Sequence, residues 1–237
     1  MDKDIERMAE AIKKHLIPRQ NVTNGETKRQ AGIELSKFYS QLEQAGIYKR
    51  YRNVTFENIE KRGMPDSKNI RENYEYVKAF AQDLNAQIAN GKGLILAGHY
   101  GTMKTTMAVA VLRKWLDSGH GGLIVPMCSL IDNLNTMRIL NREEFAKYDQ
   151  RIRSTPLLVL DDLGGEDMDN RVKSKIDSIL TERYNKMLTT IITTNKTKKE
   201  LEGTYSERVM DRLKNTAQYL AFDEDSQRRH NDWNEEG

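Results

Sequence analysis

One cysteine, Cys128, stands among 237 residues. That excludes an internal disulfide and a zinc centre built on several thiolates, and it implies a reducing, cytoplasmic setting. No apolar run approaches the roughly 18–20 residues needed to cross a bilayer. The N-terminus lacks the apolar core of a signal peptide. No internal repeat is visible, and charge of neither sign dominates: 38 Lys and Arg face 35 Asp and Glu, a net +3. Such a balance neither requires nor forbids nucleic acid, so where the charge sits matters more than its sum. With 38% hydrophobic residues and a mean hydropathy of −0.75, the chain reads as soluble and charge-rich. Its length suits one sizeable core and a small extra module.

What is present is organised around Gly93-Leu94-Ile95-Leu96-Ala97-Gly98-His99-Tyr100-Gly101-Thr102-Met103-Lys104-Thr105-Thr106. A short apolar run enters a glycine-containing turn, and Lys-Thr then opens an amphipathic helix. This is the layout of a P-loop, where backbone N–H groups cradle phosphates at a helix N-terminus. Residues Gly98 to Thr106 would then line the phosphates. Lys104 would reach the β- and γ-phosphates, and the Thr105 hydroxyl would ligate Mg²⁺. Met103 stands where the pattern G-x-x-x-x-G-K-[ST] has its second glycine. The match is therefore degenerate, and an ordinary turn competes with it.

Before the loop, residues 3–16 carry Ile5, Met8, Ala9, Ile12 and Leu16 at helical spacing, stopped by Pro18. Asn21 to Gly25 reads as a turn, and a second helix carries Ala31, Leu35, Phe38 and Leu42 to an end near Gly46. These helices have too little apolar surface for a core of their own. They form either a stabilising arm or a docking module. Ile47 to Ile59 mixes cations with aromatics, which suits nucleic acid or a linker packed on the next domain. A long helix is expected from Ser67 to Ala89. After the loop, helices and short strands alternate: Leu123–Val125, Leu157–Leu160, Thr189–Thr194 and Tyr219–Phe222. Ser129 is a candidate cap for one helix, and Val172–Met187 is the span of another. Thr197 and Glu200 form a capping box. The alternation means an α/β fold with a parallel sheet.

The strand Leu157–Leu160 runs into Asp161 and Asp162, roughly 55–60 residues after Lys104. In an open parallel sheet, ligands sit beyond the carboxyl ends of strands, so these acids and the P-loop share a crevice. Asp161 would hold Mg²⁺ and Asp162 would polarise the attacking water, unless the pair is merely an acidic turn. Thr193-Thr194-Asn195 ends the next strand, where Asn195 can bridge the γ-phosphate and the water. Arg208 and Arg212, four apart, share one helical face. That face is either solvated or supplies an arginine finger to a neighbouring subunit.

The order of P-loop, Leu-Leu-Val-Leu-Asp-Asp-Leu-Gly, Thr-Thr-Asn and Glu-Arg-Val-Met-Asp-Arg-Leu resembles the AAA+ ATPases of the DnaC/DnaI helicase-loader and IstB transposition-helper group. The resemblance covers residues 50–225, and Val54-Thr55-Phe56-Glu57-Asn58 is similar to the segment that opens the ATPase domain there. It implies a five-stranded parallel AAA+ P-loop core flanked by helices, with no separate helical lid. The implied domains are a helical partner-docking region over 1–48, the ATPase domain over 49–225 and a polar tail over 226–237. ATP and Mg²⁺ are the implied cofactors. Asp161 and Asp162 become the Walker B acids, Asn195 sensor 1, and Arg208 and Arg212 the interface and sensor arginines, with Arg208 the first choice as finger. The implied role is loading a replicative, DnaB-family helicase onto single-stranded DNA, with self-association through the ATP interface, in a bacterium, phage or prophage. A transposition helper on duplex DNA, and an adaptor that binds nucleotide without turnover, are the alternatives.

In the resembling loaders, the region between the second and third strands touches single-stranded DNA. Here it offers Arg138, Arg142, Lys147, Arg151 and Arg153, diluted by Glu143, Glu144 and Asp149. Met103 departs from the group's pattern. Strain of about 1–3 kcal/mol falling wholly on the bound state would weaken nucleotide about 5- to 150-fold.

Overall fold

The computed structural model describes residues 24–164 and 170–223, with the backbone alone at 24–28, 31 and 134–140. The expected helix over 3–16 and the tail beyond Asp223 lie outside the described residues. The chain divides into two compact units, Met1–Arg52 and Asn53–Gly237. In the first, helix α1 spans Asn24–Gln44, so Asn24 and Gly25, expected in a turn, are helical. Gly46 ends it at φ 79°. There Ile47 N–H reaches Leu42 O at 2.9 Å and Gly46 N–H reaches Glu43 O at 2.9 Å. This left-handed closure satisfies the last carbonyls. A 3₁₀ turn, Lys49–Tyr51, precedes Arg52, whose guanidinium stands 5.1 Å from the Tyr39 ring.

The second unit opens with α2 (Phe56–Arg62), α3 (Lys68–Gln82) and α4 (Leu84–Ala89). The single helix expected over Ser67–Ala89 is broken at Asp83, which leaves helical geometry at φ −103° and ψ 31°. Aspartate competes with the helix for its own backbone groups and suits such an interruption. There follow β1 (Gly93–Gly98), α5 (Lys104–Asp117), β2 (Gly122–Pro126), α6 (Met127–Leu140) and α7 (Arg142–Ser154). Then come β3 (Leu157–Asp161), α8 (Asn170–Asn185), β4 (Thr189–Thr194), α9 (Lys198–Thr204), α10 (Glu207–Thr216) and β5 (Ala217–Phe222). Helix α6 starts directly out of β2, so Ser129 lies inside its first turn rather than capping it.

All five strands are parallel, in the order β2-β3-β4-β1-β5. Strand β4, late in the chain, is thereby inserted between β1 and β3. Alternate residues take opposite faces. Ile95 and Ala97, Leu123 and Val125, Leu158 and Leu160, and Ile192 join one core with Ile176 and Ile179 of α8 and Val209, Met210 and Leu213 of α10. Helix α5 packs against α3 and the sheet, burying a run from Met107 to Leu112.

A wholly buried cation holds the edge where α7 enters β3. Arg183 donates to Ile152 O at 2.8 Å, Thr155 O at 2.9 Å, Thr189 O at 2.6 Å and Thr190 Oγ1 at 2.9 Å. Among the described residues it has no carboxylate in ion-pair range. Burial pushes its guanidinium down to about 9, still above neutrality, so the charge persists and four oxygens carry it.

Helix α8 ends at Asn185, two residues short of the expected Met187, because Met187 takes the left-handed closing position at φ 54°. Its N–H reaches Tyr184 O at 3.0 Å, and Leu188 N–H reaches Arg183 O at 2.9 Å. The same closure uses glycine at Gly46, Gly91 and Gly119. The Met187 side chain is 59% exposed, so little packing offsets the dihedral cost. Met187→Gly is expected to raise unfolding stability by about 1 kcal/mol, read as a shifted midpoint in urea; a lowered midpoint would show that the side chain matters more than the dihedral.

Candidate functional site

The crevice at the carboxyl ends of β1, β3 and β4 is built on two glycines. Gly98 ends β1 at φ 143°, and a Cβ there would meet Phe222 O at 2.0 Å. Gly101 turns the loop at φ 78°. Only glycine takes both demands at low cost. Met103 then takes φ 69° and ψ 6°, left-handed like the glycine it replaces, and Lys104 begins α5.

Lys104 is buried to 7% exposure. Its Nζ donates to Gly98 O at 2.8 Å, His99 O at 2.6 Å and Thr102 Oγ1 at 3.3 Å. Thr102, fully buried, donates in turn to His99 O at 2.8 Å. The loop is thus curled around its lysine. His99 and Tyr100 face outward, and Thr105 and Thr106 are half-buried in the first turn.

The start of α5 differs from its neighbours. Thr55, Ser67, Asn141, Thr197 and Ser206 each cap a helix by accepting from a first-turn N–H. Met103 supplies no such bond, and the first helical bond runs from Met107 N to Met103 O. The N–H groups of Lys104, Thr105 and Thr106 therefore point at the crevice, where the helix dipole favours an anion.

The acids close the other wall. Thr105 Oγ1 donates to Asp161 Oδ1 at 2.8 Å, and Thr193 Oγ1 donates to the same oxygen at 2.6 Å. Asp162 turns left-handed at φ 61°, with its N–H on Thr193 Oγ1 at 2.9 Å. Asn195 Nδ2 donates to Asp162 Oδ1 at 2.6 Å. Hydroxyl and carboxylate oxygens are the donor set that suits a hard divalent cation with phosphate and water as further ligands. Among the described residues, no group of three or more His, Cys, Asp or Glu could hold a metal by itself.

Thr105, Asp161, Asp162, Asn195 and the loop from Gly98 to Thr106 therefore come together. The arginines do not join them. Arg212 donates to Thr181 Oγ1 and lies 5.3 Å from the Tyr184 ring, near the end of α8. It lines a cavity of about 700 Å³ with Lys92, Asn90 and Met187, at the edge where strands begin. Arg208, one turn earlier, is exposed alongside Asp177, Ser178 and Glu182 of α8. Neither reaches its own P-loop.

Helix α7 also differs from expectation. Arg153 is 9% exposed and pairs with Asp149 at 3.0 Å and Glu182 at 2.6 Å, which raises its pKa against the opposing pull of burial. It ties α7 to α8 and is withdrawn from any nucleic-acid face. Lys147 pairs with Glu143 at 2.6 Å in the open, while Arg142 and Arg151 are exposed. The Arg138 side chain lies outside the described residues.

The model of the IstB-like ATP binding proteins matches residues 64–234. The chain belongs to that family. That family binds ATP, and the five-stranded parallel sheet is the AAA+ P-loop fold. The chain is 30% identical to the replicative helicase loader DnaI of Bacillus subtilis over 139 residues, 57% of this chain and 43% of that one. It is 27% identical to the replicative helicase loader DnaC of Buchnera aphidicola from Schizaphis graminum over 198 residues, 82% and 77% of the two chains. The crystal structure of a DnaC helicase loader superposes with a TM-score of 0.64 at 27% identity, covering 73% of this chain and 99% of that one. By these comparisons the chain is similar to loaders of the DnaC/DnaI type. Among the described residues, no helix is long and apolar enough to cross a membrane.

Thr193, the first residue of Thr193-Thr194-Asn195, carries no role in the sequence pattern yet bonds both acids. A hydroxyl on a buried strand beside an acid-tipped strand is the signal that marks it. Met103 itself holds the left-handed geometry that glycine adopts at low cost. Met103→Gly is expected to raise stability by about 1 kcal/mol yet change ATP affinity by less than about threefold, measured by titration calorimetry. A large gain in affinity would show that the methionine reorients on binding.

Proposed function

We propose that this chain is an ATP-hydrolysing loader that binds a DnaB-family replicative helicase and helps place it on single-stranded DNA. It acts in the cytoplasm and self-associates through its ATP interfaces. The observation that carries the reading is the unbroken hydrogen-bond chain from Thr105 through Asp161 and Thr193 to Asp162 and Asn195. It joins into one network the groups a hydrolytic site needs for its metal and its water. Relatives named as replicative helicase loaders support the partner.

Lys104 and the first-turn N–H groups would hold the β- and γ-phosphates. Thr105 and Asp161 would hold Mg²⁺, which neutralises charge developing on the transferred phosphoryl group. Asp162 would orient the attacking water and accept its proton, and Asn195 would hold Asp162 and sense the γ-phosphate. An arginine from an adjoining subunit completes the charge, and Arg208 is first choice because it is exposed while Arg212 is held by Thr181 and Tyr184. Residues 1–48 would dock the helicase. Arg142, Lys147 and Arg151, with Arg138, would track the DNA backbone. The Lys147–Glu143 pair is no obstacle, since an exposed i,i+4 pair contributes about 0.3–0.5 kcal/mol. A transposition helper acting on duplex DNA is the alternative.

Lys104→Ala is expected to abolish measurable ATP binding, while Asp161→Asn keeps binding and slows Mg²⁺-dependent hydrolysis on the order of 100-fold. Phosphate release by both variants at the parent's rate would refute the site.

The helicase reading is tested by co-purification with the host replicative helicase. The full chain should retain it, and a chain lacking residues 1–46 should lose it while still binding ATP. Retention of a transposase instead would favour the alternative.

A further inference from the structure

We infer that Thr193 is a positioning residue for both acids of the ATP site, setting the metal-facing geometry of Asp161 and the backbone of Asp162 through one hydroxyl. This rests on the ATP-site reading above and adds a residue that neither the loop nor the acids announce. The geometry leaves the hydroxyl one arrangement. Its single hydrogen goes to Asp161 Oδ1 at 2.6 Å, because a carboxylate can only accept, and its lone pair takes the Asp162 N–H at 2.9 Å. Thr193 is 1% exposed, so no water stands in for either bond.

Two consequences follow for the cation. Thr105 donates its own hydrogen to Asp161 Oδ1 at 2.8 Å, so the oxygen it turns to the crevice offers lone pairs. With Oδ1 held by two hydroxyls, Asp161 is fixed in rotation and Oδ2 is aimed by geometry rather than by chance. The Asp162 side chain is positioned through its backbone. Its left-handed φ of 61° is held by the N–H bond to Thr193, and Leu163 N–H on Thr193 O at 2.8 Å holds the next peptide. The strand order makes this possible: β4 lies between the P-loop strand and the acid strand, with Leu96 opposite Thr193. One side chain on β4 therefore reaches both acids at the end of β3. Valine there would fill the same volume, strand the Asp162 N–H and leave Asp161 on Thr105 alone.

The test compares Thr193→Val and Thr193→Ser with the parent by anisotropy of a fluorescent ATP analogue, with Mg²⁺ and with EDTA, alongside steady-state hydrolysis. Thr193→Ala replaces the valine variant should that fail to fold. Thr193→Val should bind in EDTA within about twofold of the parent, lose about tenfold of the affinity that Mg²⁺ adds, and fall in kcat more than it rises in KM. Thr193→Ser, which keeps the hydroxyl, should behave as the parent. The assignment is overturned if Thr193→Val keeps the parent's full Mg²⁺ gain, or if Thr193→Ser loses as much as Thr193→Val. A parent whose affinity ignores Mg²⁺ would sink the ATP-site reading itself, and the Thr193 assignment with it.

Discussion

The structure depends on one oxygen, Asp161 Oδ1, which accepts from Thr105 at 2.8 Å and from Thr193 at 2.6 Å. Those two bonds join the first turn of α5 to β3 and β3 to β4. Three segments far apart in the chain meet there, and each brings one face of the crevice. Charge-assisted hydrogen bonds are the stronger kind, and in a partly desolvated site they fix geometry as well as contribute energy. The donors and acceptors of the crevice are thereby tied to one another.

The helix ends show the same economy. Among the described residues, five helices close their first turn with a Thr, Ser or Asn side chain, while α5 leaves its N–H groups to the crevice. Among the described residues, three non-glycine residues sit in left-handed geometry: Met103, Asp162 and Met187. Two of them belong to the site. A sparsely populated backbone conformation persists where neighbours over-determine it, and Met103 is held between the curled loop and α5. Met187 lies at the other end of β4 and ends α8.

Polar faces carried less information than apolar ones. In α7, Arg153 and Arg151 differ little as letters, yet Arg153 is drawn between Asp149 and Glu182 while Arg151 is exposed. Which acid faces which base depends on how α7 lies against α8, and that is a tertiary fact. Arg183 makes the same point inside the core. On α8 its charge suggests solvent, but four oxygens from α7, its exit and β4 enclose it.

By itself the sequence determined the alternation of helices and strands, the P-loop, the acid-tipped strand and the capping box at Thr197. These signals are local: periodicity, cap chemistry and a lysine at a helix start act over a few neighbouring residues. Tertiary structure alone decided that β4 lies between β1 and β3, which brings Thr193 to both acids. It also decided that α3 and α4 part at Asp83, that Met103 keeps the glycine geometry, and that both arginines lie away from their own P-loop. Strand order and helix docking are set by burial across the whole core, and no short stretch of residues encodes them.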